Sequence, residues 1–317
     1  MPSLTIRHVT TYRYRQPVAF GEHRMMLRPR DSHDQRVVEA SLAITPEPSS
    51  LRFAQDAFGN HVAIARFDGV STELSFESTV RLEHSPVHPA DLSIEEIAQT
   101  FPVNYSADEL PDLAQCIQRH QPDPENKIAN WARRFLPASG SVGTLELLTR
   151  LSQGINQGFL YRRREAKGIQ QPLETLRLGH GSCRDFAMLM IEAARSFGFA
   201  ARFASGYLAS ALDAPLGGSA HGATHAWAQI YLPGAGWVDF DPTSGSVGKS
   251  GLVTVAVVRD PDHALPLHGT FIGRASDPLG MEVQVSVTSR TRPNGLIDSE
   301  PSSRPRVADA MAGAASH

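Results

Sequence analysis

The sequence predicts an α+β protein, because strand-like and helix-like patterns occupy separate stretches of the chain. Residues 4–85 follow strand patterns, residues 90–175 are mostly helical in pattern, and a helix followed by several strands begins at Ser182. Segregated runs of this kind are typical of α+β folds. The chain of 317 residues is also long for a single hydrophobic core, which predicts two domains.

We divide the chain into three parts. Residues 1–88 are expected to form an antiparallel β-sandwich, and Pro86 and Pro89 mark its end. Residues 89–289 are expected to form a second domain that combines helices and strands. Residues 290–317 are rich in Arg, Pro, Ser and Ala and are predicted to be a disordered tail.

The strands of the first domain follow from a period of two residues. Across residues 6–14 one face carries mainly apolar and aromatic residues, whereas Arg7 and Arg13 fall on the other face. This alternation is typical of a half-buried strand. Further strands are predicted at Val62–Phe67 and at Ser75–Leu82.

Two helices are predicted before residue 175. The first should begin at Pro124, with Asp123 as its N-cap, since a carboxylate can accept the free N–H groups of the first turn. The second has an apolar stripe from Leu145 to Ile155, and Gly158 should end it.

A third helix is predicted directly after Gly181. Ser182 and Asp185 have the spacing of a capping box, and an apolar stripe with helical period runs from Phe186 to Phe197. Cys183 would then lie in the first turn, at the edge of the buried face.

A thiol at this position has distinctive chemistry. The helix dipole and the unpaired N–H groups of the first turn favour the thiolate over the thiol, and the N–H of Cys183 could stabilise an oxyanion. A buried structural cysteine is the alternative interpretation. The other cysteine of the two, Cys116, lies in a helical pattern and is interpreted as a packed core thiol.

His225 and Asp241 follow on two predicted strands separated by the turn Pro233–Gly236. If Tyr231 lies opposite Trp237, Asp241 falls diagonal to His225 on the same face of the sheet, within reach of its side chain. A loop shorter by one residue would place the two on opposite faces.

In this arrangement His225 would take the proton of Cys183, and Asp241 would hold the imidazole in the required tautomer. Asp239, on the same face, is a competing partner for His225 but lies one pair further away. The alternative for His225 is a packed histidine in an aromatic strand.

Four segments of this region resemble the transglutaminase-like superfamily, in the bacterial branch described as cysteine proteases. They are Gly181–Ala187, Ser205–Leu208, Thr224–Trp227 and Gly236–Thr243, they occur in the family's order, and the similarity extends over about residues 155–275. The β region also resembles the N-terminal region of that branch, in His8–Tyr14, Pro17–Val18, Leu27–Arg30 and Asp56–Asn60.

The resemblance implies a papain-like catalytic core within residues 89–289, with Cys183, His225 and Asp241 as a catalytic triad. It implies attack of the thiolate on an amide carbonyl and a thioester acyl-enzyme. Hydrolysis of peptide or isopeptide bonds is the preferred outcome. Transfer to an amine, as in a transglutaminase, and a non-catalytic peptide-binding module are the alternatives.

Two segments of the expected cleft depart from the family pattern. Arg184 stands where many relatives carry Gln, and Val257–Pro261 stands where relatives often have Gly-Arg-Asp-Tyr. Both are expected to affect substrate choice. Tyr161 is the candidate for a second oxyanion donor.

Composition excludes several other classes. A formal charge of −3 gives no reason to expect nucleic acid or a membrane as partner. The N-terminal residues do not resemble a signal peptide, which predicts a cytoplasmic protein with free thiols. The segment Gly245–Ser250 lacks the first glycine of a phosphate loop, and His180 with Cys183 has no second ligand pair, so neither a metal nor another cofactor is expected.

Overall fold

The computed structural model describes residues 3–85, 87–138, 140–164, 168–209, 219–221, 223–248 and 251–290. The chain begins with five antiparallel strands, which are β1 Ser3–Met25, β2 Gln35–Thr45, β3 Ser50–Gln55, β4 His61–Arg66 and β5 Val70–His84. In β1, Ile6 is buried while Arg7 and Arg13 are exposed. The predicted alternation is therefore confirmed, and so are the strands predicted around residues 62–67 and 75–82.

Short helices and strands connect the two sheets. They are β6 Thr100–Phe101, α1 Leu110–Ile117, α2 Lys127–Ala132, β7 Val142–Gly143, α3 Thr144–Gly158, β8 Leu160–Tyr161, α4 Pro172–Leu178 and β9 His180–Gly181. Within the described residues, 3-10 helices lie at Pro89–Asp91, Glu96–Ala98, Arg133–Phe135 and Pro261–Ala264. Helix α3 ends at Gly158, as the sequence predicts.

The predicted start of helix α2 was wrong, although its capping residue was correctly chosen. The helix begins at Lys127 rather than at Pro124, and its N-cap is Asn126 in a left-handed conformation. Asp123 nevertheless accepts the N–H of Lys127 at 2.7 Å and that of Ile128 at 3.0 Å. A carboxylate outside the helix therefore satisfies the first turn.

The candidate site lies in the segment after β9. Its elements are α5 Cys183–Ser196, β10 Ala201–Leu208, β11 Ser219–His221, β12 Ala223–Leu232, β13 Gly236–Asp241, β14 Ser246–Val247 and β15 Leu252–Val258. In the described part of the chain the core sheet is antiparallel, with the order β14-β13-β12-β10-β15. The apolar face of α5 packs on this sheet, where Leu189 and Met190 join the same core as Ala228 and Ile230.

The last two strands return to the first sheet. Strand β16 spans Leu267–Ile272 and β17 spans Pro278–Arg290, and both pair antiparallel with β1. The predicted boundary at residue 88 assigned these strands to the second domain, and the structure differs because strand pairing does not depend on closeness in sequence. The tail predicted from residue 290 onward lies, after Arg290, outside the described residues.

The N-terminal β region is one continuous antiparallel sheet that folds over on itself. One stretch of β1 pairs with β5 and β17, and a later stretch pairs with β4 and β16, with register shifts between the two. The two halves enclose one core that includes Tyr14, Phe20, Met25 and Phe76. This arrangement gives the two packed layers expected of a sandwich.

The first domain covers the exposed edge of the core sheet. Gln35 Nε2 donates to the carbonyl of Thr254 at 2.7 Å, and its Oε1 accepts the N–H of Thr254 at 2.9 Å. Asn60 makes the same pair of bonds with Val257, both at 2.9 Å. Two side-chain amides thus occupy the hydrogen-bonding edge of β15 where a further strand would pair, and they connect the two domains.

Replacing Gln35 by Ala should destabilise the protein by about 1–3 kcal/mol, because the buried N–H of Thr254 would lose its acceptor. Urea unfolding followed by circular dichroism measures this change. Gln284→Ala is the matched control, since Gln284 is exposed and its side chain bonds only that of Glu282 among the described contacts. This substitution should change the free energy of unfolding by less than about 0.5 kcal/mol. Equal effects of the two substitutions would contradict this role of Gln35.

Candidate active site

The start of helix α5 is held by a buried carboxylate. Asp185 Oδ2 accepts the N–H and the hydroxyl of Ser182, both at 2.8 Å, and forms an ion pair with Arg164 at 2.8 Å. Its Oδ1 accepts the N–H of Gln170 at 2.7 Å. The predicted capping box is confirmed. It fixes the backbone immediately before Cys183.

Cys183 occupies the first position of this helix. It is partly buried and packs against the core beneath α5. Because it is the first helical residue, its N–H precedes the helical hydrogen-bond ladder and points beyond the helix end. The thiol lies near enough to His225 to help raise the pKa of that imidazole.

Strands β12 and β13 bring His225 and Asp241 together. Tyr231 lies opposite Trp237, which is the register that places His225 and Asp241 on the same face of the sheet. Nε2 of His225 lies 3.0 Å from Oδ2 of Asp241, and both side chains are buried. Since Nε2 is engaged with the carboxylate, Nδ1 is the ring nitrogen left free of Asp241.

The surroundings favour the charged forms of both residues. Burial opposes a charge on His225, but the hydrogen bonds and negative charges of Asp241 and Cys183 outweigh it and raise the pKa of His225 to about 10. Burial also opposes a charge on Asp241, yet bonds from His225, the Ser244 hydroxyl and the Thr243 N–H hold its pKa below the usual value. An imidazolium–carboxylate pair is therefore stable at neutral pH.

Asp239, the competing partner for His225, has a different role. It accepts from the indole Nε1 of Trp227, and from Nε2 of Gln229 at 2.9 Å. The Trp227 ring in turn stacks near the His225 ring, with centroids 6.1 Å apart and an interplanar angle of 24°. Asp239 thus fixes the neighbour of the imidazole and not the imidazole itself.

These supporting contacts were missed by the sequence analysis, which assigned no role to Gln229 or Ser244. Alternation places Gln229 on the same strand face as His225 and could have indicated it. No sequence pattern indicates Ser244, because its hydroxyl reaches Asp241 Oδ2 at 2.8 Å only through the turn after β13.

Tyr161 lies on strand β8, beside the residues that precede Cys183. It is 50% exposed, and strand β8 that carries it pairs in parallel with β9, directly before Cys183. Burial and the nearby charge of Cys183 raise the pKa of Tyr161. Its ring meets the edge of Phe186, with centroids 6.4 Å apart.

Arg184 ties the nucleophile helix to the segment after β15. Its Nη2 donates to the carbonyl of Pro261 at 3.1 Å, and its guanidinium lies 5.8 Å from the centroid of the Phe203 ring. Burial lowers the pKa of Arg184, against the opposing charge of Cys183. This departure from the family pattern therefore connects two walls of the site.

Other chemistries find little support in the described ranges. Among these residues no group of three or more His, Cys, Asp and Glu side chains could hold a metal ion. No helix in the described chain is long and apolar enough to cross a membrane. The segment Gly245–Ser250 is described only to Gly248, and strand β15, not a helix, follows it.

Comparison with known families agrees with this architecture. Residues 4–83 match the bacterial transglutaminase-like N-terminal region, and residues 130–242 match the core of the transglutaminase-like superfamily. Cys183, His225 and Asp241 all lie within the second match.

Relatives match over most of their length. An uncharacterized protein of Mycobacterium tuberculosis is 29% identical over 292 residues, which cover 89% of this chain and 91% of the relative. One from Mycobacterium leprae is 25% identical, over 89% of this chain and 98% of its own. The crystal structure of a putative cysteine protease from Cytophaga hutchinsonii superposes with a TM-score of 0.65 at 21% identity, over 90% of each chain. The shared fold is the papain-like core with its preceding β domain.

Cys183 should be alkylated by iodoacetamide much faster than Cys116 below neutral pH. His225 keeps its proton up to about pH 10, so it presents a positive charge near the Cys183 sulfur across the neutral range. Burial, in contrast, raises the pKa of the Cys116 thiol. Mass spectrometry of each cysteine should give a Cys183 rate at least about tenfold higher than the Cys116 rate.

Substitution of the imidazole supplies the control. His225→Ala should slow the alkylation of Cys183 below neutral pH, because the positive charge near the sulfur is lost, whereas Asp241→Asn should have a smaller effect in the same direction. His33→Ala, in the exposed part of the first domain, should change neither cysteine. A Cys183 rate that does not depend on His225 would exclude the ion pair.

Proposed function

We propose that this chain, a member of the transglutaminase-like superfamily, is a thiol enzyme that acts on amide bonds, with Cys183, His225 and Asp241 as its catalytic residues. One observation carries the proposal. The ring of His225 bonds Asp241 at 3.0 Å through Nε2 and also interacts with Cys183, which occupies the first position of a helix. This is the arrangement that activates a thiol nucleophile.

In the first half of the reaction the Cys183 thiolate attacks the carbonyl carbon of the amide. The tetrahedral intermediate collapses when the imidazolium of His225 donates its proton to the amine, which leaves as the C–N bond breaks. The product is a thioester between Cys183 and the acyl group. Asp241 stabilises the imidazolium while the proton is held.

In the second half water or an amine attacks the thioester. The now neutral His225 takes the proton of the attacking group, and the C–S bond breaks. The acyl group leaves as a carboxylic acid or as a new amide, and the thiolate–imidazolium pair is restored. The site therefore supports hydrolysis and transamidation with the same residues.

Two groups are placed to stabilise the oxyanion. The N–H of Cys183 points beyond the helix end, where the carbonyl oxygen must lie during attack. The Tyr161 hydroxyl lies close enough to Cys183 for the charge of that residue to raise the pKa of Tyr161. We assign the first donor to the Cys183 backbone and the second to Tyr161.

We favour hydrolysis of peptide or isopeptide bonds over transfer to an amine. The fold is shared with a structure described as a cysteine protease, and the described residues hold no acidic cluster suited to a metal. Transglutaminase activity is the second candidate, since the acyl-enzyme is common to both. The joint contacts of the three residues disfavour a peptide-binding module without catalysis.

We also propose a reducing, cytoplasmic setting, which keeps Cys183 a free thiol.

Incubation with unfolded casein in H₂¹⁸O, with dansylcadaverine present, separates the two reactions. Hydrolysis should place ¹⁸O in new carboxyl groups, whereas transamidation should attach the amine to glutamine side chains. Cys183→Ala should abolish either product, and Cys116→Ala should retain it. Activity that survives in Cys183→Ala would refute the proposed nucleophile.

Tyr161→Phe should lower kcat by about 10–10³-fold if the hydroxyl stabilises the oxyanion. The alkylation rate of Cys183 should change little, since displacement of iodide forms no oxyanion. Steady-state kinetics on a cleaved casein peptide, compared with alkylation of the same variant, measures both quantities. A parallel fall in both would indicate that Tyr161 only maintains the structure around the thiol.

A further inference from the structure

An exposed strip of chain borders the proposed nucleophile. It consists of strand β8 and the two arginines after it, residues 160–163, and is called the β8 edge below. The side chains of Leu160 and Tyr161 are 58% and 50% exposed, and Arg162 and Arg163 are exposed as well. Two large apolar side chains and two cations thus stand in solvent beside Cys183.

The backbone of the β8 edge has a free hydrogen-bonding side. The N–H of Leu160 donates to Gly179 and that of Arg162 to Gly181, both at 2.8 Å. Because backbone groups alternate along a strand, the N–H and C=O of Tyr161 point away from β9. In the ranges that the structure describes this sheet has only these two strands. Tyr161 can therefore pair with one residue of an extended peptide.

The charge of the β8 edge is uncompensated within the described chain. Arg164 forms an ion pair with Asp185 at 2.8 Å, but neither Arg162 nor Arg163 takes part in an ion pair among the described residues. In the sequence the next charges, Glu165 and Lys167, cancel each other. The strip therefore carries a local excess of positive charge.

This charge lies close to the reactive sulfur. The pKa of Tyr161 responds to the negative charge of Cys183 and, in the opposite direction, to the positive charge of Arg163. One side chain therefore lies within electrostatic range of both. An acidic group bound by Arg163 would be held near Cys183.

A groove continues the same surface away from Cys183. Its volume is about 610 Å³, and its lining includes Trp131, Arg134, Phe159 and Gly179. Phe159 directly precedes β8, and Gly179 is the residue that accepts the N–H of Leu160. The groove therefore begins where the β8 edge begins and adds the cation of Arg134.

We propose that the substrate is an acidic peptide segment that adds as a strand to the β8 edge, with its carboxylates bound by Arg162 and Arg163. This proposal rests on the proposed function, since it names the class of substrate for the same site. A peptide is favoured over another polyanion because the free N–H and C=O of Tyr161 complement a peptide backbone. Exposed Leu160 would cover an apolar side chain of the bound segment.

The rate ratio of two reagents tests the charge. Iodoacetate is an anion and iodoacetamide is neutral. The iodoacetate rate at Cys183 divided by the iodoacetamide rate therefore reports the local electrostatic potential. The double variant Arg162→Glu, Arg163→Glu should lower this ratio by about three- to tenfold at low salt, and the difference should shrink at about 0.15 M salt. Arg52→Glu, an exposed change in β3 with the same charge reversal per residue, should leave the ratio unchanged.

Protection by short peptides tests the occupant. Three peptides of one length, with Leu alternating with Glu, Gln or Lys, would compete with iodoacetamide. The Glu peptide should protect Cys183 best in the wild type, and the double variant should lose that preference. Equal protection by all three, a preference for the Lys peptide, or protection only by single-stranded DNA would overturn the proposal.

The two proposals fail separately in these measurements. If His225→Ala leaves Cys183 reactivity unchanged, the catalytic proposal fails, whatever the peptides do. If the His225 dependence is present but the reagent ratio and the Glu preference do not respond to the double variant, only the acidic-substrate proposal fails. The Cys116 rate, measured in the same samples, shows whether each variant keeps its fold.

Discussion

The candidate site depends on the register of the hairpin formed by β12 and β13. A slip of one residue would move Asp241 to the face opposite His225, because neighbouring residues on a strand point to opposite faces. Buried polar contacts oppose such a slip. Asp239 accepts from Gln229 and Trp227 on the facing strand, so a shifted hairpin would leave a buried carboxylate without these partners. The register that brings His225 and Asp241 together is therefore also the register in which the buried carboxylate of Asp239 keeps these hydrogen bonds.

Cys183, the third residue of the candidate site, is positioned by contacts of the residues on either side of its helix start. Asp185 holds the backbone before Cys183, and Arg184 ties the first turn of α5 to the carbonyl of Pro261 after β15. The first domain stabilises β15 in turn through the side-chain amides of Gln35 and Asn60. The β domain is thus connected to the nucleophile through the edge of the core sheet, which gives it a structural role in the site.

The site contains one buried pair of charges and two charges that are exposed to solvent. His225 and Asp241 are buried, so salt screens their interaction little, whereas Arg162 and Arg163 stand in solvent and are screened within about 10 Å. Chemistry at the thiol and attraction of an acidic substrate should therefore respond differently to ionic strength. Tyr161 connects the two regions, since Cys183 and Arg163 both act on its hydroxyl.

The sequence by itself determined the α+β class and the capped helix that begins at Cys183, because local periodicity and capping specify these features. It limited the hairpin to two registers, and the pairing of Tyr231 with Trp237 in the structure decided between them. It could not show that β16 and β17 complete the first sheet, since long-range strand pairing leaves no local pattern. It also could not place the start of α2, because Asp123 caps that helix from outside it. Only the tertiary structure decided that Asp241 rather than Asp239 meets His225, since both lie on the same face and the choice depends on the distance between side chains.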